Sequence, residues 1–245
     1  MFAEKTLMVF VLRIFLTNIL LQAIPLPDDN ADVDTVKIMF FYGPKFENYT
    51  EYNLTDAASL LKDPKFIHNQ THLYMTGYRT WEESPAVIVM AESYLKRNNT
   101  NFLNLEWGKM AAGTYISAQI NILKLSPYVA DFIIDLFKLG LPQDSFTMSG
   151  TSIGGRGAGL FGRDVIERSN GTMIVSRISP FDPSNEEAHD EFILPDIDKS
   201  YAKFVDVHYS DAGGVGTEKL MGHVHFWPNN GTRFQPGCPS DGTEC

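Results

Sequence analysis

Between Ser145 and Gly159 the chain reads Ser-Phe-Thr-Met-Ser-Gly-Thr-Ser-Ile-Gly-Gly-Arg-Gly-Ala-Gly, and the pattern Gly150-x-Ser152-x-Gly154 inside it limits what this sequence can build. A serine at that spacing sits on a turn sharp enough to strain its own backbone. Glycine is needed on either side, because a Cβ there collides with the chain as it doubles back. The flanks agree with such a turn: Phe146 and Met148 read as a short buried strand, and Ile153 to Val165 as a helix rich in small residues. The alternative is a Gly-rich turn that holds a serine by accident, since the three fixed positions recur by chance in roughly one chain in ten of this length. The weight of the motif therefore depends on its surroundings.

Those surroundings alternate strand and helix. Val36 to Tyr42 is β-branched and aromatic and stops at Gly43-Pro44, and the next thirty residues are polar. His72 to Met75 reads as the second strand and runs into Thr76-Gly77-Tyr78, a glycine-containing turn suited to presenting backbone N–H groups. After Pro85, Ala86 to Lys96 has the composition of a helix, and Asn101 to Trp107 that of a strand. Val129, Phe132, Ile133, Leu136 and Phe137 recur at helical spacing before Gly140, with Pro127 marking the start of that helix or a kink in it. Beyond the serine turn, strands are expected at Ile174 to Phe181, at Phe204 to His208 and at Gly222 to Pro228. The order implies an α/β fold, a mostly parallel sheet covered by helices on both faces, with ligands bound beyond the carboxyl ends of the strands. Asp182 follows the strand after Ser152 and can point into the same crevice.

Composition narrows the functional classes. The 245 residues carry a formal charge of −10 with no Lys/Arg cluster, which argues against a nucleic-acid partner. Lys5 precedes the apolar run Leu7 to Leu12, a second run follows Arg13, and small residues near Ala23 offer a cleavage point, so residues 1–23 read as a secretory signal. Arg13 and the shortness of either run argue against a stable membrane anchor. Asn-x-Ser/Thr triplets begin at Asn48, Asn53, Asn69, Asn98, Asn170 and Asn230, which fits export and N-glycosylation. The cysteines, Cys238 and Cys245, could close a small disulfide loop in an oxidising compartment, or stand as two free thiols. The histidines lack acidic or cysteine partners at ligand spacing, so no metal is expected, and nothing in the sequence calls for a cofactor.

Glu106-Trp107, Gly150 to Gly155, Arg177 to Pro183, Phe204 to Val207, Gly222-His223 and Phe226 to Gly231 occur in an order and spacing that resemble the pancreatic-type secreted lipases, most nearly the short extracellular forms typical of insects. The resemblance runs from about Val36 to the last residue. It implies one α/β-hydrolase domain over residues 24–245 that cleaves carboxylic esters of lipids, phospholipid or acylglycerol. In that scheme Ser152 is the nucleophile, Asp182 orients the general-base histidine, and the backbone N–H groups of Tyr78 and Ile153 form the oxyanion hole. The loop between the two late cysteines acts as a lid in the resembled family. Its six residues here favour phospholipid or a small ester over bulk triglyceride.

The same resemblance raises an objection. The family order is Ser, Asp, His, and the histidine would follow the cysteine that Cys245 resembles, where this sequence stops. The expectation is a chain without the family's closing C-terminal segment, either as a piece of a longer product or as a protein that lost its base. Four histidines follow Asp182, namely His189, His208, His223 and His225, and only His189 lies in a polar loop, Ser184 to Glu191, able to reach the crevice. Thr76, Glu106, Thr151 and Gly155 stand where the family has His, Asp, His and Ala. The competing expectation is a secreted, catalytically silent relative that binds or stores lipid.

Overall fold

Runs rich in β-branched and aromatic side chains give strands, and among the described residues there are eight. They are Lys37–Phe41 (β1), Tyr49–Tyr52 (β2), Gln70–Met75 (β3), Thr100–Glu106 (β4), Phe146–Thr151 (β5), Arg177–Phe181 (β6), Phe204–His208 (β7) and Val224–Phe226 (β8). The computed structural model describes residues 32–43, 45–97 and 99–237. The expected signal segment, the Cys238–Cys245 pair, Pro44 and Asn98 lie outside the described residues. The strands form one sheet in the order β2-β1-β4-β3-β5-β6-β7-β8. β1 is antiparallel to β2 and β4, and every other neighbouring pair is parallel. With the helices on both faces, this is the α/β-hydrolase fold.

The helices are Ala57–Leu61 (α1), Pro85–Leu95 (α2), Tyr115–Lys138 (α3) and Ile153–Arg168 (α4). α1, α3 and α4 share one face of the sheet, where Ile122, Leu125, Val129, Ile133 and Leu136 of α3 meet Met75, Met148, Ile178 and Val205 in a single buried core. Each such side chain contributes about 1.5–3 kcal/mol on leaving water. α2 covers the other face, with Val87 and Ala91 against Met39, Phe41, Tyr74 and Phe102. A parallel sheet buries both faces, so its strands read as near-continuous apolar runs rather than alternating ones.

Four details differ from the sequence expectations. β2 and α1 fall within the stretch read as polar: Tyr49-Thr50-Glu51-Tyr52 is a short edge strand with only half-buried or exposed side chains, too short for its period to register. α3 starts at Tyr115 rather than near Pro127. The Thr114 hydroxyl accepts from the Ser117 N–H at 3.2 Å and caps it. The apolar face then continues through Pro127, whose lost backbone bond is outweighed by the burial on either side. The strand expected from Ile174 joins the ladder only at Arg177, because the Ile174 N–H is taken by the Gln143 side chain at 2.8 Å. The strand expected over Gly222 to Pro228 shrinks to β8, since Gly222 has φ +89° and Pro228 opens a 3-10 turn.

Candidate active site

Ser152 lies between β5 and α4 with φ 57° and ψ −125°, a backbone conformation that costs an L-residue energy and persists only when its neighbours enforce it. They do so by proximity. A Cβ at Gly150 would stand 2.2 Å from the Gly154 carbonyl oxygen, and one at Gly154 would stand 2.3 Å from that of Thr76. The strained turn is tied to β6, where the Phe181 carbonyl accepts the Ser152 N–H at 2.9 Å. That bond brings Asp182, the next residue, to the same end of the sheet.

Asp182 also has a positive φ, 43°, and its N–H is held by the His208 carbonyl at 2.8 Å. Its Oδ1 accepts the N–H groups of Ser210 at 2.6 Å and Asp211 at 3.0 Å, and its Oδ2 accepts the Ser210 hydroxyl. A carboxylate holding three donors is fixed in direction. Ser152 Oγ, for its part, is hydrogen-bonded to the hydroxyl of Ser184 at 3.1 Å. Sequence reasoning missed Ser184, although it stands two residues after Asp182.

Gly77 adjoins the serine, since a Cβ built on it would lie 3.4 Å from Ser152 Cβ. Tyr78 follows, its hydroxyl anchored to the Gly113 carbonyl at 2.7 Å. Among the described residues, the Tyr78 and Ile153 N–H groups donate to no backbone carbonyl. For Ile153 the reason is general, because the first N–H groups of a helix have no intrahelical acceptor. The elbow and the Gly77 turn thus bring two unspent donors and a strained serine to one end of the sheet.

A second unforeseen residue fixes the far wall. Arg156, whose side chain is wholly buried, leaves α4 one turn after Ser152. It donates to Glu186 and Asp196 at 2.6 Å each and to the carbonyls of Ser184 at 2.8 and 3.2 Å and Pro195 at 3.3 Å. Phe192 packs on the guanidinium face, 5.1 Å away. The only sequence signal was a lone arginine in a run of glycines, where a charge cannot be solvated unless the helix is at the surface.

The histidines go elsewhere. His189 stacks on Tyr115 with ring centroids 3.9 Å apart. His208 sits 3.2 Å from the buried Asp206 carboxylate, which also binds Arg177 and Ser179. His223 Nδ1 accepts the Val205 N–H at 3.0 Å, and the Nε2 of His225 is buried without a partner. His68 is exposed and edge-on to Phe66. His72 is a satisfied core residue: Thr147 and Ser149 hold its two nitrogens at 2.7 Å each, and burial pushes its pKa down to about 3. Among the described residues no histidine is hydrogen-bonded to Ser152 Oγ.

Of the positions departing from the resembled pattern, Thr76, Thr151 and Glu106 each make hydrogen bonds, while Thr76 Oγ1 is buried without a partner. Thr76 is buried with its carbonyl accepting the Trp107 indole N–H at 3.2 Å, and the Thr151 hydroxyl meets that of Tyr74 at 2.8 Å. Glu106 accepts the Gly108 N–H at 2.8 Å with one oxygen, and its other oxygen is buried without a partner. Burial, reinforced by Glu82 and Glu51 nearby, pushes its pKa up to about 7. A carboxyl whose folded pKa is raised stabilises the fold fully below the unfolded value, near 4.5, and loses that contribution as pH rises through 7. Urea midpoints should therefore fall from pH 5 to pH 8 in the wild type and change less in Glu106→Gln; equal slopes would show that Glu106 ionises freely.

Of the Asn-x-Ser/Thr sites, Asn53, Asn69, Asn170 and Asn230 are exposed and Asn48 is half-buried. Among the described residues no helix is long and apolar enough to cross a membrane, and no cluster of His, Cys, Asp or Glu could hold a metal ion.

The sequence profile of the lipase family matches residues 18–243. Pancreatic triacylglycerol lipase of Sus scrofa is 30% identical over 227 residues, covering 87% of this chain and 47% of that protein. Lipase member H of Xenopus tropicalis is 31% identical over 175 residues, covering 71% of this chain and 36% of the relative. Phospholipase A1 member A of Homo sapiens is 29% identical over 171 residues, covering 69% and 36%. The chain spans about half the length, or less, of these relatives.

Proposed function

Because the chain belongs to the lipase family, we propose that it is a secreted carboxylic ester hydrolase acting on lipid esters through Ser152. The observation that carries this reading is the strained serine, φ 57°, at the end of β5, with the Asp182 carboxylate at the end of the next strand. A strained nucleophile on a Gly-x-Ser-x-Gly turn projects Oγ into the crevice, where it can attack an ester carbonyl. The oxyanion that forms would be met by the N–H groups of Tyr78 and Ile153, each donor worth about 3 kcal/mol in the transition state. Asp182, held by Ser210 and Asp211, would orient a histidine that takes the Ser152 proton and would stabilise the imidazolium so formed. Export rests on the signal-like residues 1–23 and the exposed Asn-x-Ser/Thr sites. If Cys238 and Cys245 pair as in the resembled family, the six-residue loop between them favours phospholipid or a small ester as substrate.

A second reading, a catalytically silent protein of the same fold that binds or stores lipid, is favoured by the partners the two key residues already have. Ser152 Oγ is bonded to Ser184, and the Asp182 carboxylate to Ser210 and Asp211. A fluorophosphonate probe separates the readings. Labelling of the secreted protein that vanishes in Ser152→Ala supports the hydrolase, and a folded, secreted protein that is never labelled leaves the silent one. In the labelled case phosphatidylcholine should be cleaved faster than emulsified triglyceride; the reverse order would overturn the substrate preference.

A further inference from the structure

Resting on the reading of Ser152 as nucleophile, we propose that Ser184 is a positioning residue that donates its hydroxyl proton to Ser152 Oγ. The two serine oxygens are 3.1 Å apart, and Ser184 is 1% exposed. It cannot drift. The carbonyl of Ser184 accepts both Nε and Nη2 of the buried Arg156, its backbone bridges to Gly216, and the carbonyl of Pro183 accepts the Thr217 N–H at 2.9 Å. A backbone pinned by one helix and by the loop at Gly216-Thr217 keeps the Ser184 side chain beside Ser152.

The direction of the proton follows from the chemistry of a nucleophile. A serine hydroxyl has one proton and two lone pairs. A nucleophilic Ser152 gives its one proton to a base, so its Oγ can only accept from Ser184, and Ser184 is the donor of the 3.1 Å bond. The same bond stabilises the alkoxide as charge grows on Oγ, because a donor to the charged form favours that form.

Ser184→Ala should lower the fluorophosphonate labelling rate by about 10-fold, near 1.4 kcal/mol, and move the pH profile of labelling to higher pH, since a donor to the developing alkoxide is lost. Ser184→Thr keeps a hydroxyl and should restore both rate and profile. A merely structural role would lower the urea midpoint and leave the pH profile where it was. Wild-type rate and profile in Ser184→Ala would overturn the proposal. Were the wild type itself never labelled, the nucleophile reading would fail, and crystal structures of wild type and Ser184→Ala would still decide the positioning role. A changed Ser152 χ1 in the variant supports it, and an unchanged one overturns it.

Discussion

Gly154→Ala is expected to abolish folding at the elbow, with the urea midpoint falling below detection or the protein failing to leave the cell. The added Cβ would stand 2.3 Å from the Thr76 carbonyl oxygen and 2.5 Å from that of Met75. Both atoms are backbone at the end of β3, in the middle of the sheet, so no side chain can rotate to relieve the contact. Overpacking a well-filled core costs about 1–3 kcal/mol when side chains can adjust, and more where only backbone can move. That is a large share of a total stability of about 5–15 kcal/mol. Gly140→Ala is the control: a Cβ there meets nothing within 4 Å, so only the strain of its φ of +106° remains. Equal midpoints for the two variants would show that the elbow is far looser than its geometry.

Arg156→Met should cost about 3–5 kcal/mol, the range for breaking a buried ion pair by removing one partner. Methionine fills the volume and keeps the contact with Phe192, but Glu186 loses its guanidinium partner and the carbonyls of Ser184 and Pro195 lose their donors. Lys219 also reaches Glu186 and Asp196, so some compensation remains, and Asp196, whose side chain is 54% exposed, adds little of its own. The exposed pair Arg168–Asp131 supplies the comparison, because Arg168→Met should cost less than about 1 kcal/mol. Urea unfolding of both variants tests the difference. If Arg156→Met were no worse than Arg168→Met, the loop from Ser184 to Asp196 would not depend on that side chain. If the cost is as large as expected, the labelling of Ser152 should weaken too, since Ser184 is held through the same guanidinium.

Most of the sheet could be read in advance because its strands are buried on both faces and carry β-branched and aromatic side chains at close to continuous density. β7 begins and ends where Phe204 and His208 suggested, and β4 is displaced by one residue from Asn101 to Trp107. The edge elements were illegible for the opposite reason. β2 has no fully buried residue, and α1 is five residues long, so neither carries a period against its polar surroundings. α3 was read only over its second half, since Pro127 signals a helix start to any local rule, while the packing of Ile122 and Leu125 in the core extends the helix across it.

The elbow is determined locally. Gly150 and Gly154 are the residues without a Cβ at the two places where a Cβ would strike backbone, so spacing alone identified Ser152 and predicted its strain. Asp182 was legible for a related reason, as the first residue after a strand that lies beside β5. What touches these two residues was not. Ser184 at Ser152 Oγ, Ser210 at Asp182 and Arg156 beneath the wall are polar contacts between segments up to forty residues apart. A short-range rule sees turn geometry and periodicity, which depend on neighbours in sequence. Which hydroxyl meets which oxygen depends on how β5, β6 and two loops pack around one helix, and that packing exists only once the sheet has closed over its core.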